Sequence, residues 1–386
     1  MTRTWLQVSA AMSLVLAGGC ASTQSWPIST MEAEGIDAAA IEALVEDFEA
    51  GHYGLVDHFT LIRHGHIVAD HHFDHDYATI AAPHVKRDHP YDYDHPSWHP
   101  YYQGTDLHTL QSVTKSITSV VLGIAIDEGF IPDGVGTPAM SFFEAYEPDM
   151  SDIRRVAMTV EDLLTMRSGI DWNEMISYDD ATNSCILMED SDKWIQYVID
   201  RPMREKPGTR FDYNSGASVL LGKVVRESTG RRIDDYAQEK LFEPLGITDF
   251  HWKVTPDGEC DTEGGLYLAA HDLARVAQLF LQRGMWNGER IVSEAWVEAS
   301  IMHHSTDVLE GDPLDAYGYG YQWWIPLRED GQPMHYHGSG YGGQFPVVVP
   351  ELDLVIVFNA WNIHDAAERD LFSASYRVME AAGGTK

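Results

Sequence analysis

The uneven placement of strand-forming and helix-forming sequence restricts the fold of this chain more than any other feature. Near its start, "FTLIRHGHIVADHHF" holds two β-rich runs around His64-Gly65, which reads as a hairpin. Near its end, "YGYGYQWWIP", "QFPVVVP" and "LDLVIVFNAW" are strand-like, with "PELD" as a turn. Between them, roughly from 113 to 310, the pattern is mostly helical: "VEDLLTM", "SVLLGKVVREST", "HDLARVAQLFLQRG", "SEAWVEASIM". Strands at both termini around a helical middle predict an α+β fold. An antiparallel sheet is built from both ends and flanked by helices, with a mostly helical second lobe. One helix sets Ile36, Ala40, Ile41, Leu44, Val45 and Phe48 on a single stripe, and a last helix runs from about Asp365 to Ala382. The domain is expected over 36–382, with a sheet lobe at about 36–110 and 312–382 and a helical lobe at about 111–311. A cleft between two lobes is a usual place for a small-molecule site.

The 386 residues suffice for one large domain with a substantial core. With 60 acidic against 26 basic side chains the net charge is −34, which repels phosphate backbones and excludes nucleic acid as an expected partner. The first twenty residues, "MTRTWLQVSAAMSLVLAGGC", carry one arginine, an apolar run too short to span a bilayer, and small residues before Cys20. This reads as an export signal, and "LAGGC" resembles the lipobox of bacterial lipoproteins. An exported protein is expected, periplasmic after simple cleavage of the signal or an outer-membrane lipoprotein anchored by lipid if Cys20 is acylated, with residues 21–35 as a linker. Cys185 and Cys260 remain. In an oxidising compartment they can pair, although two cysteines always make one possible pair.

Residues 71–102 hold seven histidines and five aspartates among several prolines. No defined metal motif runs through them, so a solvated loop near the site's mouth is expected, and no metal or cofactor.

The chemistry centres on "LQSVTKSITS". On a helix, Ser112 and Lys115 share a face, with Ser112 in the first turn. Burial and the positive helix end would depress the lysine pKa, leaving an amine able to take the serine proton. The ordinary alternative is a capping serine beside a snorkelling lysine. A third group must pass a proton to the leaving atom, and Tyr213, in "PGTRFDYNSG", precedes an apolar helix. The glycine-rich "YHGSGYGGQ" can bring a backbone N–H to the developing oxyanion. No G-x-S-x-G elbow of an α/β-hydrolase is present.

Five ordered stretches carry a resemblance: "LQSVTKSITS", "VEDLLTMRSGIDWNE", "PGTRFDYNSG", "GGLYLAAHDLARVAQLFLQRGMWNG" and "HGSGYGGQ". Together they resemble the β-lactamase-related serine hydrolases. The branch is that of class C β-lactamases, D-Ala-D-Ala carboxypeptidases, family VIII-type esterases and 6-aminohexanoate-oligomer hydrolases. The resemblance implies a β-lactamase/penicillin-binding-protein-like fold, Ser112 as nucleophile, Lys115 as general base and Tyr213 as proton shuttle. It implies an oxyanion hole from the backbone N–H groups of Ser112 and Gly340. Two departures follow from the same comparison: Ser215 stands where the family has asparagine, and His337 and Ser339 where β-lactamases have lysine and glycine. These changes favour an ester or amide substrate over a β-lactam or a D-Ala-D-Ala peptide. Trp172, Tyr178, Ser215, His337 and Ser339 are the expected substrate contacts. A binding lipoprotein that keeps the fold without turnover is the alternative from another class.

Overall fold

The computed structural model describes residues 26–83, 95–306, 308, 317–363 and 367–384. Cys20 and the leader lie outside the described residues, as do positions 84–94 of the histidine-rich segment.

Seven antiparallel strands form the main sheet: β1 (Val56–Arg63), β2 (His66–His72), β3 (Tyr317–Tyr319), β4 (Trp324–Pro326), β5 (Tyr336–His337), β6 (Phe345–Val349) and β7 (Leu354–Ala360). Their order is β2-β1-β7-β6-β5-β4-β3, so the two ends of the chain meet at the β1–β7 pair. The expected hairpin joins β1 to β2, and His64 and Gly65 both take the positive φ that such a two-residue turn requires.

Period-two alternation sends the strands' side chains to opposite layers. Leu354, Ile356 and Phe358 of β7, with Val347 and Val349 of β6, pack with helices α1 (Ala38–Glu49) and, near the C-terminus, Leu371–Ala381. Val355, Val357 and Val348 join the other core, which includes Leu273, Val276 and Phe280 of the helix Ala270–Leu281. That helix comes from the stretch expected to form the helical lobe, yet it covers a face of the sheet. The middle of the chain also contains a small sheet unmarked in the sequence, His108–Thr109 with Leu266–Leu268 and His251–Trp252.

Two long helices form the heart of the second lobe, α2 (Val113–Asp127) and α3 (Ser215–Thr229), packed against each other. Every residue of α2 from Val113 to Ala125 is buried, so it lacks the polar face of a surface helix. Gly123 belongs to that packing, because a Cβ there would fall 2.4 Å from the Trp296 ring.

Candidate active site

Ser112 is the half-buried residue immediately before α2. A serine in this place ordinarily bonds an N–H of the first helical turn. Ser112 makes no such bond, and its Oγ instead accepts from Lys115 Nζ at 2.9 Å. The neighbouring Gln111 holds a left-handed φ of 46° where the chain turns into the helix. Tyr213 shares a side-chain hydrogen bond with Ser112, and its ring lies 5.3 Å from Lys115 Nζ. Its placement follows from helix capping: Asn214, the next residue, accepts the Ala217 N–H at 2.9 Å and starts α3. The Tyr213 ring stacks on Trp324 of β4 at 5.6 Å. Ser112, Lys115 and Tyr213 therefore meet as the sequence reading expects, and the capping alternative for Ser112 does not hold.

The charge on Lys115 departs from that reading. The ammonium is 1% exposed and donates to Glu263 O at 2.7 Å and to Glu263 Oε2 at 3.1 Å. Burial works against the charge, but Tyr213, Glu263 and Glu174 outweigh it and raise the lysine pKa above its ordinary value. At rest Lys115 is a cation donating to Ser112, not a free amine. Burial also works against the Glu263 carboxylate, but Lys115 and a hydrogen bond from Glu189 keep it ionised. Glu189 is pushed far up by burial and the Glu263 charge, so it holds the proton it donates. The Glu263 loop is clipped to both helices, since Thr118 Oγ1 donates to Thr262 O and Thr262 Oγ1 to Ser218 O.

Glu174 organises the opposite wall. Its carboxylate accepts from Trp172 Nε1 (2.6 Å), Ser215 N (2.8 Å), Ser215 Oγ (2.6 Å) and Tyr178 OH (3.1 Å). An anion at the first turn of α3 suits the helix dipole. Burial raises the Glu174 pKa against the pull of Lys115. Sequence reasoning missed both glutamates. The signals were present as the last residue of "DWNE" and as "DTEGG", but neither has a spacing relation to Ser112.

Five residues were expected to touch substrate, and the structure separates them. Trp172 and Ser215 are buried and committed to Glu174, so they position the wall and do not face a ligand. His337 has its ring fully buried against Phe345 and Phe372, with centroids 4.6 and 4.8 Å away, and it borders the cavity that Ser339 lines. Burial holds its pKa well below the ordinary value, so it supplies no cation in place of the family's lysine. Tyr178 stands at the surface, its ring against Tyr341 at 5.6 Å. Ser339 is half-buried and lines a cavity of about 560 Å³ with Tyr317, Trp324, Asp370 and Phe372. That cavity adjoins the catalytic cluster through the Trp324–Tyr213 stack.

The Gly340 amide expected in the oxyanion hole is already engaged within the sheet. Gly340 lies close to the nucleophile's segment, since a Cβ on it would fall 2.4 Å from Leu110 O. Its N–H, however, donates to Gln344 O at 2.8 Å, and that of Gly338 to Pro346 O at 3.1 Å. Both amides are thus paired with carbonyls of the neighbouring strand segment. The two cysteines are buried free thiols, so the possible disulfide is not formed. Cys185 Sγ lies 4.0 Å from Glu263 Oε1, and Cys260 lies near Asp234.

A family model described as "Beta-lactamase" matches residues 41–373. A 6-aminohexanoate-dimer hydrolase of Paenarthrobacter ureafaciens is 30% identical over 270 residues, 66% of this chain and 67% of that protein. Two solved structures share the fold at low identity. A family VIII carboxylesterase has a TM-score of 0.64 at 16% identity, covering 93% of this chain and 98% of its own. A penicillin-binding protein homologue from Caulobacter crescentus has a TM-score of 0.61 at 18% identity, covering 90% and 96%.

Proposed function

The chain belongs to the beta-lactamase family, as a β-lactamase-related serine hydrolase, and on that premise we propose that it cleaves a linear ester or amide through an acyl-enzyme on Ser112. The observation that carries the proposal is the contact of Ser112 Oγ with Lys115 Nζ at 2.9 Å beside the Tyr213 phenol. With Lys115 cationic and Tyr213 neutral, the pair has no room for the serine proton. The reactive form has lost one proton, either as amine beside phenol or as ammonium beside phenolate. Either form accepts the Ser112 proton as Oγ attacks the carbonyl carbon, and returns it to the departing oxygen or nitrogen. Water then attacks the acyl carbon by the reverse route. The N–H groups of Ser112 and Ser339 are the proposed oxyanion donors.

The buried, neutral His337 supports the ester or amide reading over a β-lactam or D-Ala-D-Ala peptide, because no cation stands there to hold a substrate carboxylate. The relative from Paenarthrobacter ureafaciens, described as acting on 6-aminohexanoate dimer, supports a linear amide as one substrate class. Tyr178 and the cavity beside Ser339 are the proposed contacts for the rest of the substrate. We also propose export, with Cys20 as lipid anchor, on the strength of the leader sequence.

Hydrolysis of p-nitrophenyl butyrate and nitrocefin, measured side by side with Ser112→Ala, tests the reading. Ester turnover that vanishes in the variant, with little nitrocefin cleavage, is the expected result. Rapid nitrocefin cleavage would replace it with a β-lactamase. Ester turnover that survives in Ser112→Ala would remove Ser112 as nucleophile.

A further inference from the structure

We infer that Asp57, His58 and His72, backed by His108, form a binding site for a divalent transition-metal cation of the zinc type. The site lies apart from the chemistry of Ser112. Asp57 and His58 sit at the start of β1, where the register to β7 shifts between Val56 and His58. His72 is the β2 residue paired with His58. One possible ligand atom from each of Asp57, His58 and His72 lies within 4.8 Å of the others. Zinc–nitrogen and zinc–oxygen bonds of about 2.0–2.2 Å set donors up to about 4 Å apart, so small side-chain rotations close the site.

The carboxylate is already oriented for this role. Trp361 Nε1 donates to Asp57 Oδ1 at 3.0 Å, which leaves Oδ2 facing two imidazoles. His58 Nδ1 lies 2.8 Å from Oδ2, and His108 Nε2 lies 3.9 Å from it. His108 is 2% exposed, and its Nδ1 lies 3.1 Å from Thr109 O, a contact that needs the proton on Nδ1. In the neutral ring Nε2 then carries a lone pair, and it has no hydrogen-bond partner among the described residues. His108 Nε2 thus faces the Asp57 carboxylate across a gap too long for a hydrogen bond, unpaired in a place where that is costly, while Oδ2 keeps only its contact with His58. A cation bridging the two would satisfy the Nε2 lone pair and draw on the same carboxylate oxygen.

The rings of His58 and His72 stack with centroids 4.3 Å apart and 10° from parallel. Imidazole nitrogens with one carboxylate suit zinc, copper or nickel and not calcium or magnesium. His72, with its side chain about half exposed, gives the ion a way in. No linear spacing marks the site, because strand pairing and the fold bring its members together. A bound ion would fasten the start of β1 and the end of β2 to the strand His108–Thr109, which leads into Ser112.

Zinc content after dialysis against buffer, calorimetric titration with Zn²⁺ and the absorption spectrum with Co²⁺ test the inference on the whole protein. One zinc per chain is expected, with a melting temperature that rises on loading. His72→Gln should weaken binding by at least about 10-fold, the loss that follows removal of even an outer partner of a metal ligand. It should leave the metal-free melting temperature unchanged, and Asp57→Asn should act on affinity in the same direction. A triple variant, His84→Gln, His89→Gln and His95→Gln, should keep the ion. Loss of zinc from that triple variant would instead mean adventitious capture by the histidine-rich segment. Failure to retain zinc, or affinity indifferent to His72→Gln and Asp57→Asn, would also overturn the site.

Discussion

Lys115 and His337 are buried to nearly the same degree, 1% and 0% exposed, yet one ends as a cation and the other neutral. Each occupies a position that the resemblance marked for substrate chemistry. Around Lys115 the chain gathers the Glu263 and Glu174 carboxylates beside Tyr213, and the ammonium keeps its proton although burial opposes it. Around His337 it gathers Phe345, Phe372 and Tyr317, and burial acts almost unopposed, so the ring stays neutral. Burial alone therefore does not decide protonation in this molecule. What decides it is whether the fold brings a compensating charge to the same place.

The most severe break of this contrast is Lys115→Ala. It leaves the Glu263 carboxylate buried without its cation, which should cost about 3–5 kcal/mol in a denaturant melt. The same variant should lose about 10³-fold in kcat/KM, in the range of a lost acid–base group. Activity close to that of the unaltered protein would mean that Tyr213 works without the lysine.

Glu263→Gln sharpens the comparison by removing one source of the raised lysine pKa while keeping a side chain of the same shape. Because the reactive pair must lose a proton, kcat/KM should rise with pH along an alkaline limb. Without the Glu263 charge the proton leaves more easily, so the limb should move to lower pH by about 1 unit or more. A limb that stays in place would show that the Glu263 charge does not govern the pair.

The smallest effect is expected at the neutral pole. His337→Phe replaces a ring whose two nitrogens have no hydrogen-bond partner among the described residues, so stability should hold or rise by about 1 kcal/mol. His335 behaves alike, its pKa lowered by burial to about 3. For such bases the unfolded chain binds more protons below its own pKa of about 6.5, so stability falls as pH drops below that value. The slope is about 1.4 kcal/mol per pH unit for each ring, and for His335 the loss levels off near pH 3. The double variant, His335→Phe with His337→Phe, should flatten this acid limb. An unchanged limb would place the acid sensitivity elsewhere.

Much of the fold and the centre of the site were legible in the sequence, and for local reasons. The β1–β2 hairpin follows from two alternating runs around His64-Gly65, and the pairing of Ser112 with Lys115 from one helical turn. Tyr213 was legible as the residue ahead of a capped helix. The side chains beyond this centre were not. Trp172 is as apolar inside the lobe as it would be at a cleft, and only its bond to Glu174 distinguishes the two roles. The Gly340 amide could be assigned only from strand pairing, which turns it toward Gln344.

By itself the sequence determined the element types, the membership of Ser112 and Lys115 in one helical turn, and the meeting of the chain's two ends in a sheet. These depend on periodicities and turn chemistry written within a few residues. The tertiary structure alone decided the charge of Lys115, the neutrality of His337, the engagement of the Gly340 amide, and the gathering of Asp57, His58, His72 and His108. The physical reason is distance along the chain. Glu263 sets the state of Lys115 from 148 positions away, and electrostatic interactions act through space with a strength fixed by separation and burial.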